Sequence, residues 1–329
     1  MKTRTRARTI TVCALLLGTT CAVGGAAHAQ QWPTRAVRII VPFPPGQAAD
    51  IITRIIAERL TPALGQQVIV DNRPGAGAAL GTEIGAKSPP DGYTFVAGGS
   101  AALAINPHLY KKLGYDTPRD FAPVTQIVAI SMVFVVNPNL AARNLPQFIQ
   151  LAKQRPGELN YGSSGSGSTS HLVSAALASR AGITLVHVPY KGAVQSLTDL
   201  ITGQVMLVAD TPPTVVPHIQ AKKMRPIAVS MIKRIPQLPD VPTVDEQGVR
   251  GYDLNTWTSI VAPAATPPAI LDRMNAEIVK IIAQPDVNKR LVEMGFIPVG
   301  SSREAFARFL ASEYSSWAKI VQASGAKVD

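Results

Sequence analysis

Cysteine is almost absent from this chain, and its two cysteines stand near the amino terminus. Cys13 and Cys21 both fall within the first 29 residues, a segment that we expect to be removed. The remaining chain then has no thiol for a disulfide, a metal ligand or a nucleophile. Aromatic residues make up 5% of the sequence. No run of about eighteen apolar residues follows the first segment, so no transmembrane helix is predicted there.

The first 29 residues have the pattern of a secretory signal peptide. A basic start precedes an apolar middle from 10 to 23, and Ala27-His28-Ala29 supplies an A-x-A cleavage site. A lipoprotein anchored at Cys21 is the alternative, but the small residue expected before that cysteine is missing. We predict export to the periplasm with cleavage after Ala29.

The mature chain keeps a moderate excess of positive charge. Removing four basic residues and no acidic ones lowers the formal net charge from +11 to +7. The densest basic cluster, 222–225, has no interleaved aromatic residues, so nucleic acid is not a predicted partner. Charge of this sign suits anionic solutes, acidic surfaces or simple solubility.

Apolar periodicity predicts an α/β protein with two lobes. Strands and helices alternate from 37 to 97, and a second alternating series runs from 145 to 230. A long apolar run, 125–136, reads as a strand that passes from one lobe to the other, and 256–262 as the returning strand. We predict lobe 1 at 30–130 plus 254–329, and lobe 2 at 131–253.

The carboxy-terminal part is predicted to hold an irregular connection and two helices. The connection covers 234–252, which is rich in proline, aspartate and glycine. Thr266 caps the first predicted helix, and a capping box from Ser301 to Glu304 opens the second. Both helices carry an apolar stripe suited to the core.

The stretch from Val37 to Asp50 reads as a buried strand, a Pro/Gly turn and the start of a helix. Such a turn leaves backbone N–H groups pointing outward at the carboxyl end of the strand. We expect it to hold a ligand.

A second donor-rich loop, Gly162 to His171, immediately precedes another predicted helix. Its serines, threonine and glycines supply or expose N–H and O–H donors beside a helix start, which suits a carboxylate or phosphate. An ordinary N-cap after a flexible loop explains the same residues equally well.

The sequence matches none of the common enzyme or cofactor-binding motifs in full. Neither glycine–serine stretch matches G-x-S-x-G, and the mature histidines lack zinc-binding spacing. The loop 75–81 resembles a dinucleotide fingerprint, but Leu80 stands where its third glycine belongs. The sequence therefore predicts no metal and no nucleotide cofactor. His171, directly after the Ser/Gly loop, is the histidine most worth testing.

Three further residues are candidates for lining a cleft. Asp210 and Tyr190 each follow a predicted strand, at the sheet edge where ligands of α/β proteins bind. Asp210 serves equally well as a helix cap. Trp257 fits the core better than the cleft.

Long motifs in a fixed order resemble the Bug (TctC-type) family, the periplasmic receptors of tripartite tricarboxylate transporters. The similar stretches include VRIIVPFPPG, DNRPGAGAALGTEIGAKSPPDGYTF, LNYGSSGSGSTSHL, HVPYKGAVQSLTDLITGQV and VAPAATPPAIL. The resemblance implies a two-lobed periplasmic-binding-protein fold of type II-like form, whose lobes close on a small ligand. It also implies a membrane permease as partner and no catalysis.

The resemblance implies that one ligand carboxylate is held by the loop after the first strand and by the Ser/Gly loop. The predicted ligand-binding residues are Phe43, Pro45, Gly46, Gln47, Ala48, Ser100, Ser163, Ser164, Ser166, Ser168, Thr169, His171, Tyr190 and Asp210. The ligand class stays open between aliphatic di- or tricarboxylates, amino acids and aromatic acids. Phe43, Tyr190 and Trp257 would sandwich an aromatic ring, whereas Asp210 would pair with an amine.

Gln47 is where this chain departs from the family, which usually has a second glycine there. Glutamine takes a positive φ less readily, so either the turn differs or the amide contacts the ligand. Two other functions remain as alternatives: an exported hydrolase that uses a loop serine with His171, and a sensor that docks on a membrane signalling partner.

Overall fold

The computed structural model describes residues 32–326, so the predicted signal peptide lies outside the described residues. The described chain contains eleven β-strands. They are β1 Val37–Val41, β2 Val68–Asn72, β3 Thr94–Gly99, β4 Phe121–Ser131, β5 Val133–Val136, β6 Asn160–Ser163, β7 Val186–Pro189, β8 Leu207–Asp210, β9 Arg225–Val229, β10 Asn255–Pro263 and β11 Ile297–Pro298.

Eleven α-helices lie within the same described range. They are α1 Ala48–Leu64, α2 Ala79–Ala86, α3 Asn106–Leu109, α4 Thr117–Asp120, α5 Leu145–Gln154, α6 Thr169–Ala181, α7 Ala193–Thr202, α8 Pro212–Gln220, α9 Pro268–Ala283, α10 Pro285–Glu293 and α11 Arg303–Ser324. A 3₁₀ turn covers Ala76–Ala78, and a π-helical segment covers Ala101–Ile105, immediately before α3.

The strands form two mixed sheets, as the predicted α/β class requires. The first has the order β11-β4-β10-β3-β1-β2, and the second has the order β7-β6-β8-β5-β9. β1 runs parallel to β2 and β3, whereas β10 runs antiparallel to β3 and β4. In the second sheet β6 is parallel to β7 and β8. The carboxyl ends of the parallel strands therefore gather at one edge of each sheet.

The chain crosses between the sheets where the sequence predicted one long strand. The structure divides that run at Met132, so that β4 ends in the first sheet and β5 begins in the second. Ser230, just after β9, closes the crossing. Its N–H donates to the Met132 carbonyl at 2.9 Å, and its Oγ accepts from the Met132 N–H at 2.8 Å. β10 then returns the chain to the first sheet, as predicted.

Buried apolar residues fill both faces of the first sheet. Ile52 and Ile56 of α1 and Ile278 of α9 are fully buried against one face. On the other face, α11 contributes Phe306 and Trp317 to a core shared with α6 of the second sheet. One helix therefore packs against both halves of the molecule.

The predicted end of the chain needs three corrections. Three helices, not two, follow β10, because Gln284 leaves helical geometry and Pro285 starts α10. Thr266 is not the cap of α9, since its buried Oγ1 has no partner. The cap of α11 is Ser302, whose Oγ accepts from the Ala305 N–H at 3.2 Å. Ser301 instead accepts from Gln126 of β4.

Two other regions compare differently with the prediction. The segment 234–252 is irregular, as predicted, apart from one bridge between Thr243 and Val229. The helix α8 was not predicted as an element, because three prolines and four β-branched residues interrupt its periodicity. Nowhere between 32 and 326 is there a helix with both the length and the apolarity to cross a bilayer. The proposed lobe boundaries stay a prediction.

Candidate functional site

The loop after β1, Pro42 to Gln47, is held by the buried carboxylate of Asp50. One carboxylate oxygen accepts from the Gly46 N–H at 2.8 Å. The other accepts from Arg54 Nε and from Asn72 Nδ2, each at 2.9 Å. The Asn72 amide also donates to the Phe43 carbonyl at 3.1 Å. The loop is therefore fixed from two sides by hydrogen bonds.

Burial alone would raise the pKa of Asp50, since it penalises the charged form. Hydrogen bonds from Arg54, Gly46 and Asn72, together with the positive charge of Arg54, outweigh that effect and hold the pKa below its ordinary value. The carboxylate is thus charged at neutral pH. Its negative charge is compensated by donors of the loop and by Arg54.

Gln47 sits in relaxed backbone geometry. Its φ is −80°, whereas the preceding Gly46 takes the left-handed value of +83°. Gln47 therefore needs no left-handed backbone, so its side chain causes no strain in this turn. Gln47 is the N-cap of α1 but makes no capping bond, and its side chain is exposed. Contact between its amide and a ligand stays a prediction.

The Ser/Gly loop after β6 is folded by its own hydroxyl groups. Ser168 donates to the Gly165 carbonyl at 2.7 Å and caps α6 by accepting from the His171 N–H at 3.3 Å. The Ser170 hydroxyl accepts from the Ser164 N–H at 3.0 Å. Ser164 and Ser166 themselves are exposed. Hydroxyl groups here bond mainly to loop backbone rather than to the helix.

Both loops leave helix N–H groups unpaired. The N–H groups of Ala48 and Ala49 at the start of α1 find no acceptor among the described residues. The same holds for Thr169 and Ser170 at the start of α6. These positions carry the partial positive charge of a helix N-terminus. Each loop can therefore accept an anionic group.

Ser100, Thr169 and Thr256 join the two halves of the molecule through their hydroxyl groups. Ser100 follows β3, and its Oγ lies 2.7 Å from Thr256 Oγ1 of β10. The same Oγ lies 3.5 Å from Thr169 Oγ1, the first residue of α6. The carboxyl edges of the two sheets thus face one another across this contact. Ser100 therefore lies beside the end of the Ser/Gly loop, and its contact with a ligand stays a prediction.

Two histidines lie behind the Ser/Gly loop. The Oγ of the fully buried Ser163 lies 2.6 Å from His187 Nε2 of β7. The His171 ring stacks on His187 with 3.8 Å between centroids, and its Nδ1 accepts from the Gly167 N–H at 3.0 Å. His171 is 6% exposed. Its ring is directed into the protein and supports the loop.

Burial lowers the pKa of both histidines. For His171 the pKa falls to about 4, through burial first and then through the neighbouring His187. Burial is also the cause for His187. Both rings are therefore neutral at pH 7.

Asp210 ends β8 between the Ser/Gly loop and the crossing strand. β8 neighbours β6, and Asp210 itself pairs with Val133 of β5. One carboxylate oxygen, Oδ1, accepts from the Thr211 N–H at 2.7 Å and from Thr214 Oγ1 at 2.9 Å. Burial raises the pKa of Asp210 against the lowering effect of these bonds. Asp210 precedes Thr211, the N-cap of α8, and Oδ2 has no hydrogen bond to the described chain.

The aromatic side chains do not assemble as a sandwich. Trp257 is 1% exposed, donates to Glu313 at 2.9 Å and packs against Phe306, so it belongs to the core as the sequence favoured. The Tyr190 hydroxyl donates to Asp199 of α7 at 2.6 Å. Phe43 remains half-buried in the first loop. The geometry gives no support to a ring held between all three.

Comparison with known proteins identifies the family. The model of the tripartite tricarboxylate transporter family receptor, TctC, matches residues 52–326. The chain belongs to the TctC family. Protein BugT of Bordetella pertussis is 33% identical over 310 residues, which cover 94% of this chain and 95% of BugT. The resemblance found in the sequence motifs is thereby confirmed.

Solved structures of other TctC-type proteins share the fold. Rpa4515 of R. palustris, determined with adipate, superposes with a TM-score of 0.81 at 36% identity, covering 90% of this chain and 99% of that one. MatC of Rhodopseudomonas palustris, with bound malate, gives a TM-score of 0.77 at 29% identity, covering 88% and 99%. The predicted two-lobed binding-protein fold is confirmed.

Two residues of this site were not predicted from the sequence. Thr256 was read as the start of a strand, yet its hydroxyl bonds to Ser100. The sequence showed only that His187 lacks zinc-binding spacing, whereas the structure places it in contact with Ser163 and His171. Its position two residues into a strand beside β6 was the available signal, but pairing of those strands had to be known first. Within residues 32–326 no three His, Cys, Asp or Glu side chains cluster closely enough to hold a metal ion.

Proposed function

We propose that this chain is a periplasmic, non-enzymatic receptor that captures a small carboxylate by closing its two lobes, and delivers it to the permease of a tripartite tricarboxylate transporter. The unpaired N–H groups at the starts of α1 and α6 are the observation that carries the proposal. Adipate and malate in two related proteins support the ligand class. Family membership supports the permease as partner.

Carboxylate capture follows from the donors that each loop offers. A carboxylate between Ala48 and Thr169 would accept from backbone N–H groups at two helix N-termini. Bonds between N–H donors and a charged acceptor are about twice as strong as neutral ones. Closure removes water from the carboxylate, which strengthens the same bonds further. The Asp50 network keeps the first loop in place before the ligand arrives.

Native mass spectrometry of the protein as purified tests the proposal first, because a retained acid identifies its own class. Calorimetric titration with adipate, malate, aspartate and benzoate follows. We expect at least one acid to bind with a Kd below about 10 μM, and X-ray scattering to show a smaller radius of gyration in its presence. Absence of any retained acid, together with no heat from any of the four, would refute the carboxylate assignment.

Asp210 and Gln47 are the two residues proposed to select among carboxylates. If Asp210 pairs with an ammonium group, Asp210→Asn weakens aspartate binding and leaves adipate binding unchanged; equal loss for both acids contradicts that role. If the Gln47 amide contacts the ligand, Gln47→Gly weakens binding by several-fold. Unchanged affinity in that variant would show that the Gln47 side chain faces solvent and does not contact the ligand.

A serine hydrolase finds little support in the site. The serine that contacts a histidine, Ser163, is fully buried, and its partner is His187 rather than the predicted His171. Among the described residues no carboxylate hydrogen-bonds to His187 to orient it, as a catalytic triad requires. Labelling of the purified protein by a fluorophosphonate probe would reverse this conclusion.

Uptake of the retained acid into cells with and without the permease separates transport from a sensor that signals at the membrane.

A further inference from the structure

The Ser/Gly loop is held at two points by a stacked pair of histidine rings. His171 and His187 are parallel to within 5°, and Tyr161 of β6 lies against both, with centroids 6.1 Å and 5.0 Å away. His187 reaches Ser163 at the beginning of the loop, and His171 reaches Gly167 near its end. The intervening residues form the turn that leads into α6.

The hydrogen bonds define the protonation of each ring. Ser163 Oγ donates to the Gly165 carbonyl at 3.1 Å and accepts from the Gly165 N–H at 3.2 Å. With its proton directed at Gly165, it accepts from His187 Nε2–H. His171 accepts through Nδ1 from the Gly167 N–H, so its own proton stands on Nε2. These tautomers are inferred from the network, and they give each of its four hydrogen bonds one donor and one acceptor.

We propose that His187 and His171 are positioning residues for carboxylate binding: they hold the Ser/Gly loop in the shape that presents the Thr169 and Ser170 N–H groups, and protonation of His171 releases Gly167 and weakens binding. The proposal rests on the proposed function. In the proposed arrangement neither histidine ring contacts the ligand. His171 acts through the Gly167 amide, and His187 acts through the Ser163 hydroxyl.

Protonation affects the two rings differently. A proton on His187 leaves the Nε2–H bond to Ser163 intact. A proton on His171 Nδ1 faces the Gly167 N–H, so two donors meet where a 3.0 Å hydrogen bond stood. The groups facing the rings are Tyr161 and Ser163 from β6 and the loop amides, with Leu109 of α3 against Gly167. No carboxylate among the described residues bonds to either ring.

Two effects of acid oppose each other at this site. A ligand carboxylate would attract a protonated His171 ring across the loop. The lost Gly167 bond acts at direct contact and removes the loop shape on which the helix N–H groups depend. We therefore expect affinity to fall in acid. The lowered pKa of His171 places the change near pH 4.

Nuclear magnetic resonance of the ligand-free protein tests the coupling without any ligand. We expect the Gly167 amide signal and the His171 ring nitrogens to titrate together, with a midpoint between about pH 4 and 5. The Gly182 amide at the other end of α6 is the internal control and should stay constant. A Gly167 amide that does not move while His171 titrates would overturn the proposal, as would a His171 midpoint near 6.5.

Affinity for adipate, used as the probe, tests positioning in the full chain. His171→Ala should weaken binding about ten-fold at pH 7, since it removes the acceptor for Gly167. His171→Asn places an oxygen near Nδ1, so it should recover most of that affinity and lose the acid dependence. The remote His218→Gln, on α8, is the matched control. Equal loss in the alanine and asparagine variants, or tighter binding by the wild type in acid, would overturn the proposal.

His187 variants provide a second pair. His187→Gln keeps an N–H donor that can reach Ser163, whereas His187→Leu removes it, so we expect weaker binding in the leucine variant alone. Thermal unfolding of each variant shows whether it is folded. If the wild type binds none of the four acids, the proposed function fails, and the resonance titration alone decides whether the histidines hold the loop.

Discussion

His171 makes the stability of the folded chain depend on pH in a window that can be calculated. Its pKa falls from an ordinary 6.5 to about 4 in the folded protein, because burial and His187 disfavour the charged ring. Between these values the unfolded chain binds a proton that the folded chain does not. The free energy of unfolding therefore falls as pH falls through the window, and the contribution is fully present above pH 6.5.

The size of the effect follows from the two pKa values. Over the whole window it amounts to roughly 3 kcal/mol, at 1.36 kcal/mol for each unit of pKa. Between pH 7 and pH 4.5 most of it, about 2 kcal/mol, should be lost. His187 adds a smaller effect of the same sign, since burial lowers its pKa as well.

Urea unfolding at pH 7 and at pH 4.5 measures this loss for the wild type and for His171→Asn. Carboxylates also titrate in this interval, but they do so in both proteins, so the difference between the two isolates the histidine. We expect the wild type to lose about 2 kcal/mol more than the variant. Equal losses would show that His171 is not held neutral by the fold, and the reasoning from burial would be wrong.

Two substitutions test the loops themselves. Gly167→Ala, at a φ of +77°, places a methyl group against the Leu109 side chain, whereas Gly182→Ala, at a φ of +62°, meets no atom within 4 Å. Urea unfolding should show the Gly167 variant less stable than the Gly182 variant by about 1–3 kcal/mol. Equal costs would mean that Leu109 moves aside. Asp50→Asn should lower the free energy of unfolding by about 2 kcal/mol at pH 7, because it weakens three partly buried hydrogen bonds. The cost should shrink in acid as the wild-type carboxylate takes up a proton. Glu58→Gln is the control, because Glu58 forms an exposed ion pair with Arg290. It should lower the free energy of unfolding by less than about 0.5 kcal/mol. A similar cost for both substitutions would show that the Asp50 hydrogen bonds do not stabilise the loop.

The sequence predicted most elements because their signals are local. The helices α5 and α7 lie in the alternating series predicted from 145 to 230, and each has a clear apolar stripe with a turn on either side. The predicted crossing between sheets was also found, since an apolar run without a helical stripe is too long for one strand. Where two signals overlapped, as at Ser301 and Ser302, the wrong serine was chosen. Only Ser301 has a glutamate three residues later, but its hydroxyl accepts from Gln126, and Ser302 caps the helix instead.

The site was harder to predict than the fold, because its contacts join distant residues. The two loops were recognised from their composition, but composition does not show which hydroxyl groups face a ligand and which face the loop. Ser163 is fully buried and His171 points inward, although both belong to the recognised motif. Thr256 and His187 lie far along the chain from the groups they contact. Strand pairing places them there, and no short pattern records it.

The two loops share one physical arrangement, although their sequences differ. An ordinary helix N-terminus uses a polar cap side chain to satisfy its first N–H groups, which stabilises the protein by about 1 kcal/mol. Gln47 provides no such bond to α1, and Ser168 satisfies one N–H of α6. The polar side chains nearby, Asp50 and Ser170, bond to loop backbone instead. Each loop is therefore fixed in shape while the first N–H groups of its helix stay unpaired, so an anionic group bound there would gain hydrogen bonds that the chain itself does not make.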